Sequence, residues 1–267
     1  MAEATDNILE ARAAKVGVQQ VSMSVIVPTY NEAKNLPELV NRLETSLKSV
    51  KFEVVVVDDN SPDGTADVAD KLNEKYTNLK ILRRTGKLGL SSAVVEGFSK
   101  TVPESQCLAV MDADMQHPPE LLAQMLNKIQ EGCDVVVASR YVAGGSAAGL
   151  NAFRLIISIC ATTIAHIIMP KTRVLKDVMS GFFMVKRTVV ECASLDPIGY
   201  KILFEILAKG NYQIVSEVPY IFEPRKNGDS NLNFKEIWNF LIQVRRLMAH
   251  NGDVLYENCN GNIHIST

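Results

Sequence analysis

The feature that most constrains this chain is an alternation of short β-branched apolar runs with stretches of helical spacing. Residues 24–28, 52–57, 79–82, 107–111 and 134–139 read as five strands. Between the first two, Leu36, Leu39, Val40, Leu43 and Leu47 recur three and four apart, as one face of a helix does. Asn60-Ser-Pro-Asp-Gly64 is turn chemistry after the second run, and Thr65 can cap a helix running towards Tyr76. Strands joined by helices imply a mostly parallel sheet built from right-handed crossovers. Ligands of such a sheet lie outside the carboxyl ends of its strands.

Polar groups gather at those ends. Tyr30-Asn31-Glu32 follow the first strand, Asp58-Asp59 the second and Asp112-Ala113-Asp114 the fourth, with Gln116 and Pro118-Pro119-Glu120 opening the next helix. Carboxylates at i and i+2 are hard oxygen ligands that suit Mg²⁺ or Mn²⁺, which take one or two carboxylates plus substrate phosphates. The pattern points to a site for a metal and a diphosphate. The plainer alternative is a strand end whose acids cap the next helix, but three strand ends facing one crevice weigh more than a single motif. No G-x-G-x-x-G follows the first strand, which excludes a Rossmann dehydrogenase.

Apolar residues make up 47% of the chain and charged residues 22%, within the soluble globular range, and a net charge of -2 argues against nucleic acid as a partner. Five scattered cysteines form no C-x-x-C pair, so neither a zinc site nor a disulfide framework is expected, and a reducing compartment fits. The first 20 residues contain no apolar signal-peptide core. The expected organisation is a flexible extension over 1–21, one domain over 22–248 and a polar, disordered tail over 249–267.

The alternation breaks after Arg140. A glycine-rich loop over 144–149 precedes the longest apolar run, 155–169; residues 180–186 and 213–222 then read as strands and 223–231 as a polar loop. Ile237, Phe240, Leu241, Val244, Leu247 and Met248 stripe a last helix over 236–248. As a helix the apolar run reaches about 22 Å, short of a ~30 Å hydrocarbon core. Arg154 precedes it, and Lys171, Arg173 and Lys176 follow. Two readings of residues 151–176 stand here: a buried core helix, or a helix lying in a membrane interface with its basic flanks on lipid phosphates.

Ser24-Val-Ile-Val-Pro-Thr-Tyr-Asn-Glu32, Val57-Asp-Asp-Asn-Ser-Pro-Asp-Gly-Thr65 and Met111-Asp-Ala-Asp-Met-Gln-His-Pro-Pro-Glu120 resemble the family-2 glycosyltransferases of the GT-A fold. Within that family they are most similar to the dolichyl-phosphate mannosyltransferases. Gly89-Leu-Ser-Ser-Ala93, Ser139-Arg-Tyr141, Asp177-Val-Met-Ser-Gly-Phe182, Gly199-Tyr-Lys201 and Glu217-Val-Pro219 extend the similarity over roughly 22–248. The resemblance implies an α/β GT-A fold: a Rossmann-like, mostly parallel sheet flanked by helices, with interfacial apolar helices in the C-terminal half. It implies that Pro28, Tyr30, Glu32, Val57 and Asp59 contact the nucleotide. Asp112, Ala113 and Asp114 would contact the diphosphate, and Asp112, Asp114 and Gln116 would bind Mg²⁺ or Mn²⁺. Arg140 and Arg225 would surround the diphosphate and the lipid phosphate, with Asp114 and Arg140 as the catalytic pair and Ser180 near the acceptor. Ser180 reads equally well as a loop-to-strand turn residue. Family members commonly carry Gly-x-Ser-Lys where this chain has Gly228-Asp-Ser-Asn231, so Asn231 brings a hydrogen-bond donor without the charge, leaving Lys226 or Lys235 to replace it.

The implied reaction moves mannose from GDP-mannose to dolichyl phosphate by a single inverting displacement, at the cytosolic face of the endoplasmic reticulum membrane. The expected partners are the membrane surface and a small membrane-embedded subunit, and the expected attachment is peripheral. His117, followed by two prolines, reads as shaping a helix start rather than as a base, which a phosphate acceptor does not need. The alternatives are a sister enzyme using UDP-glucose and a non-catalytic nucleotide-sugar-binding subunit.

Overall fold

The computed structural model describes residues 22–196, 198–223 and 234–250. Seven strands form one sheet: β1 (Met23–Thr29), β2 (Phe52–Asp58), β3 (Leu79–Arg83), β4 (Cys107–Val110), β5 (Val135–Ser139), β6 (Phe183–Lys186) and β7 (Val215–Pro219). Their order is β3-β2-β1-β4-β6-β5-β7, and all run parallel except β6, which is antiparallel to both β4 and β5. The first five strands lie within two residues of the expected bounds.

Eight helices among the described residues flank the sheet. They are α1 (Leu36–Ser46), α2 (Thr65–Lys75), α3 (Leu90–Lys100), α4 (Leu121–Gln130), α5 (Ala152–Ile168), α6 (Arg187–Glu191), α7 (Ile202–Lys209) and α8 (Phe234–His250). The period-2 geometry of a strand sends alternate side chains to opposite faces. Val25 and Val27 of β1 thus pack with Leu36, Leu39, Val40 and Leu43 of α1 and Leu122, Met125 and Ile129 of α4. Ile26, Val55 and Val57 face the other way, onto Val94, Val95 and Phe98 of α3 and the buried faces of α7 and α8. α3 sits flush on the sheet because Gly97 carries no side chain: a Cβ there would lie 2.6 Å from Ile26 Cγ2 and 3.1 Å from Val57 Cγ2.

The crossovers through α1 and α2 build outward from β1 to β3, and α3 then carries the chain back to β4 on the other side of β1. The switch point between β1 and β4 opens a crevice at their carboxyl ends. Because β6 runs against its neighbours, its amino end reaches the same edge, bringing residues 177–182 beside the segment that follows β4. The sequence pattern placed 180–186 in a strand but carried no signal for this reversed direction.

α5 is not a buried core helix. Ala161 and Ala165 are buried, whereas Phe153, Ile156 and Ile167 are 67%, 60% and 67% exposed. Trp238 and Leu241 on α8 and Val174 after α5 are exposed as well, and α5 contacts α8. Among the described residues no helix is long and apolar enough to cross a membrane. Cys107 and Cys133 are buried free thiols and Cys160 is an exposed one, but Cys192 is disulfide-bonded, contrary to the expectation from spacing alone. Separation along a chain does not set distance in space, which is what a disulfide requires.

Candidate active site

A cavity of about 660 Å³ occupies the switch-point crevice, lined on one side by Pro28, Tyr30, Glu32 and Asp59 and in the middle by Asp112, Ala113, Asp114 and Gln116. Arg140 after β5, Arg154 and Ser158 of α5, and Tyr200 and Lys201 before α7 line it as well. Arg225 and Asn231, expected around the phosphates, lie outside the described residues.

The loops after β1 and β2 are knitted into one rim. The Asp58 carboxylate accepts from Thr29 Oγ1 at 3.2 Å, Ser61 N–H at 2.9 Å and Ser61 Oγ–H at 2.5 Å, and Ser61 Oγ in turn accepts the Asn31 N–H at 3.0 Å. Asp63 accepts from Ala33 N–H at 3.1 Å and from Thr65 N–H at 3.0 Å. Burial raises the Asp63 carboxyl, but the Thr65 hydroxyl, which donates to it at 2.5 Å, and these backbone bonds outweigh burial and hold it below its ordinary value. Glu32 accepts from Asn35 Nδ2 at 2.6 Å, and Lys87 Nζ stands 3.6 Å from the centroid of the Tyr30 ring.

Asp59 is held at both oxygens. Oδ1 accepts from Arg84 Nη1, and Oδ2 accepts the Gly89 N–H at 2.8 Å. Arg84 is buried and also donates to Ser92 Oγ at 2.8 Å and Glu96 Oε2 at 2.9 Å, so it ties β2, the end of β3 and α3 together. Gly89 makes its bond from φ +101°, a left-handed conformation in which a side chain is strained. Val57 does not reach the cavity. Its side chain is fully buried under α3, so it shapes the site through the backbone alone.

At the end of β4, His117 Nδ1 accepts the Asp112 N–H at 2.9 Å. A backbone N–H can only donate, so this nitrogen carries no proton. The ring is buried and stacks on Phe182 with centroids 5.0 Å apart. His117 therefore braces the acidic loop rather than only starting a helix. Asp114 Oδ1 accepts the Gln116 N–H at 3.1 Å, and Gln116 Nε2 donates to the Glu223 carbonyl at 2.6 Å, which fixes the orientation of that amide. Among the described residues no group of three or more His, Cys, Asp or Glu is placed to hold a metal. Two carboxylates and an amide beside a diphosphate-sized cavity still fit Mg²⁺ or Mn²⁺, which complete their octahedron with water and substrate phosphate oxygens.

Arg140 enters from the end of β5. Its Nε and Nη2 donate to the two oxygens of Asp177, each at 2.7 Å, and its N–H adds a bond to Oδ2 at 3.1 Å. Asp177 is fully buried. Burial lowers the guanidinium pKa, but the hydrogen bonds and charge of Asp177 more than reverse this, so the net shift is upward. Burial pushes the Tyr220 hydroxyl up, which keeps it a donor beside the acids. Ser180 does not line the cavity: its Oγ donates to the Ala138 carbonyl at 2.8 Å and accepts the Phe182 N–H at 3.2 Å. It is the turn residue that leads into β6.

Sequence reasoning missed Arg84, Lys87 and Arg154 as site residues and Asp177 as the partner of Arg140, and it quoted Lys201 only within the Gly199-Tyr-Lys201 motif, without a role. Arg154 was legible only as a helix flank. Lys201 Nζ donates to the Met179 carbonyl at 3.0 Å and stands 4.4 Å from the Tyr200 ring centroid.

The sequence pattern of Glycosyl transferase family 2 matches residues 24–193. A dolichol-phosphate mannosyltransferase of Pyrococcus furiosus is 45% identical over 88% of this chain, which spans 66% of that protein's length. The Saccharomyces cerevisiae protein of the same name is 35% identical over 85% of this chain and 87% of its own length. Among solved structures, glucosyl-3-phosphoglycerate synthase from Mycobacterium tuberculosis, in complex with Mn²⁺, uridine diphosphate and glucosyl-3-phosphoglycerate, superposes with a TM-score of 0.64. At 17% identity over 90% of this chain and 82% of that one, that similarity bears on the fold alone. With the mostly parallel sheet, the acidic loop after β4 and these matches together, the chain belongs to glycosyl transferase family 2.

Proposed function

We propose that this chain transfers mannose from GDP-mannose to dolichyl phosphate, with inversion at the anomeric carbon. The observation that carries the reading is a cavity lined by acidic and basic side chains and by α5, a helix that also exposes Phe153, Ile156 and Ile167, in a chain whose relatives are named dolichol-phosphate mannosyltransferase. A nucleotide sugar needs the first feature, and a polyprenyl phosphate needs both.

The nucleotide enters over Pro28, Tyr30 and Glu32, with the fixed Asp59 carboxylate accepting from base or ribose donors. Asp112, Asp114 and Gln116 would hold Mg²⁺ or Mn²⁺, which would supply Lewis-acid charge neutralisation on the departing diphosphate. An oxygen of the lipid phosphate attacks C1 of mannose; the bond from C1 to the diphosphate oxygen breaks, and its electron pair leaves with GDP. The acceptor is already anionic at neutral pH, so no protein base is required, in keeping with a His117 whose Nδ1 is occupied by a backbone N–H. Arg140, pre-oriented by Asp177, presents fixed positive charge where negative charge gathers.

The apolar strip of α5 seats on the membrane surface, with a small membrane-embedded subunit as its further cover, and the place of action is the cytosolic face of the endoplasmic reticulum membrane. The test is mass spectrometry of lipid products from dolichyl phosphate with GDP-mannose or UDP-glucose in parallel. Mannosyl lipid formed only with GDP-mannose, and lost on chelation, is expected. Glucosyl lipid, or no product in the presence of membranes and metal, would sink the reading.

A further inference from the structure

The loop that carries Asp112 and Asp114 needs support from outside itself. Two carboxylates that are to share one cation repel each other until it arrives. The same loop holds Met115, a buried apolar residue, at φ +65°, a left-handed conformation that an L side chain adopts where its surroundings impose it. Sheet pairing stops short of this segment. Met111 N–H makes the last bond of β4 to β1, 3.2 Å from the Ile26 carbonyl, and the next N–H, that of Asp112, is taken by His117 Nδ1 at 2.9 Å. One side chain thus continues the hydrogen bonding of the strand past its end and ties together the two ends of the acidic loop.

The ring that does this is itself fixed. Pro118 turns the backbone of His117 away from the helical region. Phe182, before β6, stacks on the imidazole at 5.0 Å, and Tyr220, after β7, meets it edge-on at 6.0 Å. A Cβ on Gly181 would lie 3.4 Å from Asp112 Oδ2 and 3.5 Å from His117 Cε1, so the chain entering β6 closes over both. Nδ1 stands 3.8 Å from Asp112 Oδ2, so His117 bonds the backbone that aims this carboxylate and not the carboxylate. We infer that His117 is a positioning residue for the divalent cation: the acceptor at Nδ1, rather than the bulk of the ring, sets how Asp112 and Asp114 are presented and hence how tightly the cation is held. The inference rests on the reading of these acids as the residues that hold it. Groups that orient metal ligands from behind typically govern affinity by roughly 10- to 100-fold.

The test separates acceptor from ring. His117→Phe keeps a stacking ring without the acceptor, His117→Asn keeps an acceptor on Cγ without the ring, and His117→Ala has neither. Calorimetry on the full chain follows GDP binding as Mn²⁺ is added. His117→Phe should need roughly 10- to 100-fold more Mn²⁺ than the parent for half-maximal tightening of GDP. GDP affinity in chelator should stay at the parental value, and His117→Asn should recover most of the loss. Should His117→Phe not fold, His117→Asn must still need several-fold less Mn²⁺ than His117→Ala. An equal metal requirement in His117→Asn and His117→Ala, or a parallel fall in GDP affinity in chelator, reduces His117 to packing and overturns the assignment. Tightening in the parent with an unmoved requirement in His117→Phe rejects His117 alone. No tightening of the parent by Mn²⁺ or Mg²⁺ rejects the cation reading, and this inference with it.

Discussion

Arg140 and Asp177 close a loop of the chain with one bidentate ion pair, Nε to Oδ2 and Nη2 to Oδ1, each at 2.7 Å and 37 residues apart in sequence. The chain leaves the sheet edge at Arg140, runs out through α5 and returns at Asp177. The apolar helix is therefore clasped at its base by the same guanidinium that faces the cavity.

Breaking that clasp should cost both stability and rate. Asp177→Asn leaves a buried guanidinium without its counter-charge, a change that typically costs about 3–5 kcal/mol. Urea unfolding measures it, and a loss under about 1 kcal/mol would show that Arg140 finds another anion.

Asp114 supplies one of the two central carboxylates. Removing a group that stabilises transition-state charge typically costs ~10²–10³ in rate. Asp114→Ala should lose that much turnover at saturating GDP-mannose, and added metal should not restore it. Near-parental turnover would rule out the mechanism.

Gly97 has the sheet directly beneath it. A methyl group there meets Ile26 Cγ2, itself locked in the core, and such overpacking typically costs about 1–3 kcal/mol. Gly97→Ala should lower the urea midpoint without altering the KM for either substrate. An unchanged midpoint would mean that α3 can lift from β1.

Lys201 should leave a signature in stability. Its folded pKa of about 8 lies below the ordinary 10.5, so between these values the unfolded chain binds more protons than the folded one. Stability from this group accordingly rises with pH across that window. The difference in Tm between the parent and Lys201→Met should shift in favour of the parent from pH 8 to pH 10, and a flat difference would place the amine nearer solvent.

The α5 strip can be tested by a double change. Phe153→Ser with Ile156→Ser alters two exposed side chains, so Tm should hold while flotation with acidic liposomes weakens. Unchanged flotation would move membrane contact to α8 or to a partner.

The sheet was legible because strands buried on both faces leave long β-branched runs, as in Val54 to Val57, and because Leu36 to Leu47 keep helical spacing. The acidic centre was legible because Asp112 and Asp114 sit in a compact motif at a strand end. What escaped depends on distance in space. The partnership of Arg140 with Asp177 spans β5 to β6 and rests on an antiparallel pairing that no local pattern encodes. Arg84 lies beside ordinary loop residues, and only burial marks it out. α5 stayed ambiguous because an apolar run looks the same whether protein or lipid covers it, and exposure of Phe153 and Ile167 settled that it is not core.

The grip on Asp59 has a consequence for how this site comes into being. One oxygen waits for Arg84, past β3, and the other for the N–H of Gly89, at the mouth of α3. On a ribosome the motif around Asp59 emerges well before either partner, and domains assemble as the chain lengthens. A chain that stops short of α3 holds Asp59 but not the two groups that fix its carboxylate. Under the proposed reading, the donor end of the site is complete only once three successive strand–helix units have docked, with Asp112 and Asp114 one further strand on.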